Sequence, residues 1–79
     1  MTKAVDAFAA LHVPGNPLIL YNIWDPGSAK VVAEAGAKAI ATGSYGVACA
    51  MGFADGEKLP IDLALDNARR IVDVVDLPV

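Results

Sequence analysis

Cysteine is nearly absent from this chain. Cys49 is its one thiol, so no internal disulfide can form, and no second cysteine stands at metal-ligand spacing to make a zinc site. Histidine is as scarce, with His12 alone. Positive charge is thin: six Lys and Arg face nine Asp and Glu, for a net charge of −3. The only adjacent basic pair, Arg69-Arg70, reads as a solvated helix face, so neither nucleic acid nor an anionic membrane is an expected partner. Long apolar runs are missing too; none approaches the roughly 18 residues that a membrane span needs. The opening "MTKAVDAFAALH" carries one lysine and then an acid, without the apolar core of a secretory signal. The cytoplasm is therefore the expected compartment.

What the chain does have is apolar residues, 56% against 19% charged. That balance excludes disorder, and it exceeds what a small free-standing domain needs. A chain of this length buries only about 60–65% of its unfolded surface, so part of the apolar excess is expected to be covered by something else.

Along the chain, "TKAVDAFAALHV" places Val5, Phe8 and Ala9 on one stripe and predicts a leading helix over 3–12, with Thr2 as its cap and His12 at its end as a surface or cap residue. "PGNP" breaks it. "LILY", 18–21, predicts a short strand buried on both faces. Asp25 as N-cap, Pro26 at the first helical position and Gly36 at a left-handed end predict a helix over 26–35. A second strand is expected over 37–42, then a loop over 43–57 containing a short helix at "VACAM". A helix over 60–75 follows, with Ile61, Leu65, Ala68, Val72 and Val75 inward and Asp66, Asn67, Arg69 and Arg70 mostly outward. "LPV", 77–79, looks like the start of a third strand. The order predicts right-handed βαβ units and a parallel sheet.

The stretch "ATGSYGVACAMGFADGE", 41–57, leaves the carboxyl end of a parallel strand, where α/β proteins place their ligand sites. Three chemical readings meet it. A nucleotide loop is opposed by the spacing of Gly43, Gly46 and Gly52, which misses both phosphate-loop patterns. A serine nucleophile at Ser44 in "TGSYG" lacks a downstream histidine. An anion cradle of backbone N–H groups around Gly43, Ser44 and Tyr45 would hold a carboxylate or phosphonate without any charged side chain, and Asp55 would supply the charge that positions a divalent cation or its water. The plain alternative is a strand end followed by an Asp55-Gly56 turn. Residue chemistry alone favours that plain reading.

Larger patterns add to this. N-x-W-D-x-G-S-A at Asn22 to Ala29, S-x-G-V-A at Ser44 to Ala48, M-G-F-x-D-G-E at Met51 to Glu57, and "LP" before a helix ending "ARRIVDVVDLPV" stand in order from residue 18 onward. The sequence resembles the beginning of the isocitrate lyase and phosphoenolpyruvate mutase superfamily. Within it, the chain is similar to the branch of phosphoenolpyruvate phosphonomutases and carboxyphosphonoenolpyruvate mutase-like proteins.

The resemblance implies the first βα units of an α/β (β/α)8 TIM barrel, incomplete here, from a family of homodimers and homotetramers. It implies a lyase or mutase that uses Mg²⁺ or Mn²⁺ on a small 2-oxo acid or phosphonate. An enolate-like intermediate would be stabilised as a C–C or P–C bond is broken or made. Carried over, Gly43, Ser44 and Tyr45 fall where the family binds the substrate carboxylate, and Tyr45 stands where relatives often have Gly, Ala or Leu. Asp55 falls on the catalytic aspartate that reaches the metal indirectly, through water. Asp25 matches W-D-x-G but reads first as a cap.

The family's direct metal carboxylates, in D-x-D/E-x-G-Y-G after the third strand, and its K-x-x-C-G gating loop have no counterpart in this sequence. Cys49 does not replace the gating cysteine and is expected in the core. The expectation is thus an N-terminal fragment, residues 1–79 of one barrel domain, inactive alone. A second hypothesis is a non-enzymatic fragment that associates through an open sheet edge; a serine hydrolase using Ser44 is the third.

Overall fold

The computed structural model describes residues 2–79, and the side chains of 3–79. Helix α1 spans Thr2–Ala10, strand β1 Tyr21–Ile23, helix α2 Pro26–Glu34, strand β2 Ile40–Thr42, helix α3 Ser44–Ala50 and helix α4 Ile61–Val74. β1 and β2 run parallel, with Tyr21 opposite Ile40, Asn22 opposite Ala41 and Ile23 opposite Thr42. Two βα units on a parallel pair make this an α/β arrangement.

α2 is the most strongly specified element. Ser28 N–H donates to Asp25 Oδ1 at 2.7 Å, and the Asp25 N–H donates back to Ser28 Oγ at 3.2 Å. This reciprocal cap satisfies donors that a helix start otherwise leaves orphaned. Pro26 opens the helix, where its missing N–H costs nothing. At the other end Gly36, at φ 108°, takes the left-handed conformation, while Ala37 N–H reaches back to the Val32 carbonyl.

The core is small. Ile23, Ala29, Ile40 and Ile71 form one buried cluster, flanked by Val32, Ala33, Val75 and Leu77. One face of the sheet is thereby covered by α2 and α4.

Several elements differ from the sequence expectation. The first strand lies at 21–23 and not at 18–21, because pairing begins where β2 supplies a partner; Ile19 and Leu20 stay exposed. The second strand begins at 40, since 37–39 are spent on the turn that ends α2. The leading helix stops at Ala10. His12 then sits on its end, with Nδ1 donating to the Phe8 carbonyl at 2.8 Å and its ring edge-on to Phe8. Only Phe8 of the expected stripe is half-buried; Val5 and Ala9 are exposed. The expected Thr2 cap lies outside the described side chains.

α4 turns inward a face shifted from the one its apolar spacing predicts: Ala68 and Val75 of that stripe do face inward, but Ile61, Leu65 and Val72 do not. Ile61 is 71% exposed and Leu65 62%, whereas Asn67 and Ile71 are buried, with Ala64, Ala68 and Val75 half-buried around them. No strand forms over 77–79. Even so, Ile40 N–H donates to the Pro78 carbonyl at 2.9 Å, so that segment lies along the free side of β2.

Candidate active site

The carboxyl ends of β1 and β2 meet the first turn of α3. Gly43 is the N-cap, in extended conformation and without a side-chain cap; its N–H donates to the Ile23 carbonyl at 3.1 Å. The short helix therefore begins at Ser44, earlier than the expected loop over 43–57 allowed. Its first turn rests closely on the exit of β1. A Cβ placed on Gly43 would stand 3.5 Å from Asn22 Cβ, and one on Gly46 would stand 3.3 Å from Trp24 Cβ. The second contact is tighter than ordinary side chains accept, so glycine at 46 lets α3 sit against Trp24.

α3 ends at Ala50 with Met51 as its C-cap, and Gly52 just beyond is left-handed at φ 83°. Gly52 N–H bonds the Cys49 carbonyl and Phe53 N–H the Ala48 carbonyl, a pairing that turns the chain sharply into residues 53–60. Within that segment Gly56 and Glu57 are both left-handed, Glu57 at φ 67°. For a side chain with a Cβ this conformation is uncommon and strained.

Between α3, this turn and α4 lies a cavity of about 320 Å³, lined by Ser44, Asp55, Glu57, Lys58 and Asn67 among others. Of the residues singled out from sequence, Ser44 and Asp55 are thus brought to one space. Gly43 lies just behind it, half-buried against Asn22. Tyr45 is 69% exposed on α3 and does not line the cavity. Its phenol is nonetheless raised above its ordinary pKa, first by pairing with the Cys49 side chain one turn on and to a lesser degree by the Asp55 charge. Asp25 is spent on the α2 cap.

Two sequence readings are corrected here. Cys49 is exposed and not core, because Val47 and Ala48 take the inward face of so short a helix. Asn67, placed on the outer face by its polarity, is 5% exposed, and its Nδ2 donates to the Trp24 carbonyl at 2.9 Å. No local signal could have found it, since its partner lies 43 residues away.

No group of three or more His, Cys, Asp or Glu side chains gathers to hold a metal ion among the described residues. A metal cage built from protein side chains alone does not form among them. Asp55 and Glu57 line the cavity, and Mg²⁺, which keeps several of its waters, is commonly held by only one or two carboxylates besides the substrate. Ser44 makes no hydrogen bond to a base among the described residues, and His12 is engaged with Phe8. No helix there is long and apolar enough to cross a membrane.

The profile of the phosphoenolpyruvate phosphomutase family matches residues 8–79. Among solved structures, the chain is similar to a provisionally assigned phosphonomutase from Burkholderia cenocepacia J2315, at 51% identity and a TM-score of 0.91. The match covers 99% of this chain and 31% of that one, so the chain spans under a third of that protein's length. No curated protein matches.

Proposed function

The chain belongs to the phosphoenolpyruvate phosphomutase family, and from that premise we propose that it supplies one wall of the active site of a lyase or mutase. The substrate class is a small 2-oxo acid or phosphonate, handled through an enolate-like intermediate as a C–C or P–C bond is cut or formed. The observation that carries this reading is the shared cavity: Ser44 and Asp55, 11 positions apart in sequence, border one space at the carboxyl ends of the parallel strands.

In this reading Gly43, Ser44 and Tyr45 form the turn that receives the substrate carboxylate: Ser44 and Tyr45 offer the backbone N–H groups of the first turn of α3 and Ser44 its hydroxyl, while Gly43, whose N–H is held by the Ile23 carbonyl, lets the turn sit close against Asn22. Asp55, lining the same cavity, acts as the catalytic aspartate and orders the water around a divalent cation. Mg²⁺ or Mn²⁺, when bound, supplies Lewis-acid stabilisation of the developing enolate oxygen. Since no three ligating side chains gather among the described residues, the reading gives this chain binding and positioning, and no turnover by itself. The subunits of the family's dimers or tetramers and a cytoplasmic setting belong to the same reading.

Calorimetric titration with phosphonopyruvate, which joins a 2-oxo acid to a phosphonate, tests it. Binding is expected to tighten when Mg²⁺ is added. Asp55→Ala is expected to abolish that gain while leaving the circular dichroism spectrum unchanged, because Asp55 is exposed. An undiminished Mg²⁺ effect in Asp55→Ala removes Asp55 from the site.

A further inference from the structure

We propose that Asn67 is a positioning residue of the cavity, acting through the Trp24 peptide on the first turn of α3. Asn67 is the buried polar side chain of the described residues. Burying an amide is unfavourable unless it is hydrogen-bonded, and Asn67 meets that need at one place only, the Trp24 carbonyl. A carbonyl partner fixes the amide orientation: Nδ2 must face Trp24. Oδ1 takes no hydrogen bond among the described residues. No side-chain polar atom there is sealed from solvent without a partner, so Oδ1 keeps access to the cavity that Asn67 lines.

The Trp24 peptide is gripped on its other side as well, its N–H donating to Ser28 Oγ at 3.2 Å. Trp24 is therefore held between α2 and α4, and its Cβ is the surface on which Gly46 rests. Asn67 thus links the α4 wall of the cavity to the α3 wall that carries Ser44, through two close contacts. A residue that served only to fill the core would be apolar at this position.

The ligand arm of the following test rests on the function proposed above; the ligand-free arm does not. Backbone amide spectra of the ¹⁵N-labelled chain are recorded for wild type, Asn67→Leu, which keeps bulk and loses the donor, and Asn67→His, whose ring N–H can return it. Without ligand, Asn67→Leu is expected to displace the Ser44–Val47 amides and Asn67→His to leave them at their wild-type positions. With phosphonopyruvate, Asn67→Leu is expected to weaken binding about fivefold or more, and Asn67→His to stay within about twofold of wild type. Unmoved Ser44–Val47 amides in a folded Asn67→Leu overturn the proposal. Should Asn67→Leu not fold, Asn67→His decides: wild-type amide positions support the link, and displaced ones overturn it. If phosphonopyruvate fails to bind the wild-type chain, the function proposed above falls, while the ligand-free spectra still judge Asn67.

Discussion

Asp66 shows how much of this chain's chemistry is settled within a single helical turn. Arg69 Nη2 donates to its Oδ1 at 2.6 Å and Arg70 Nε to its Oδ2 at 2.8 Å. The Arg69 hydrogen bond, then that of Arg70, holds the Asp66 carboxyl below the usual aspartate range. Because the folded-state value is the lower one, any stability it contributes is present above the ordinary aspartate pKa. It is lost as pH falls through the folded value. All three side chains are well exposed, so that contribution is small and salt-screened. Carboxyl NMR is expected to show Asp66 titrating below the ordinary aspartate value, and the pair Arg69→Gln, Arg70→Gln to move it back up. An Asp66 midpoint unmoved by that pair contradicts the assignment. At the same scale, Asp25, Pro26 and Gly36 were legible in the sequence because their roles are set by their own turn. Asn67 was not, because its burial depends on a carbonyl on a distant strand end.

At the scale of the element, α4 separates spacing from contact. Its spacing predicts a stripe through Ile61, Leu65, Ala68, Val72 and Val75, and the structure keeps part of it: Ala68 and Val75 are half-buried while Ile61, Leu65 and Val72 are exposed. The inward face is shifted toward Ile71, which completes the core beside Ile23 and Ile40, and Asn67, which ties the helix to Trp24. Helical periodicity reports which residues could face a partner; the hydrogen bond and the shape of the sheet decide which do. Ile71→Ala is accordingly expected to cost about 2–5 kcal/mol in denaturant unfolding, as large-to-small core changes do. Leu65→Ala should fall within about 0.5 kcal/mol of wild type. A reversed order would return α4 to the face its spacing predicts. The first strand starts three residues later than its apolar run and ends two later, and the second starts three later but ends at Thr42 as expected, for a related reason: an apolar run shows that a strand can form, whereas pairing fixes where it begins.

For the whole molecule, the parallel pair is covered on one face only, although parallel strands ordinarily have both faces covered. Ile19, Tyr21, Trp24, Ile61, Leu65 and Val72 are all exposed. The apolar excess visible in the composition thus remains as surface, and apolar surface of this kind favours association. Light scattering on the purified chain is expected to give a mass above the 8.1 kDa of one copy; a monomer at micromolar concentration contradicts this. The family and the barrel-type βα order were readable from ordered motifs. The shape of the cavity was not, because it depends on how α4 closes against α3.

In the function proposed above, Ser44 and Asp55 border one cavity that takes the substrate. An amide-resolved NMR titration of the ¹⁵N-labelled chain with phosphonopyruvate and Mg²⁺ tests this most sharply. The account predicts saturable shifts concentrated at Gly43–Gly46 and Ala54–Glu57, with α1 and residues 13–20 unmoved. Shifts scattered over the exposed apolar surface, or none at either segment, would contradict it.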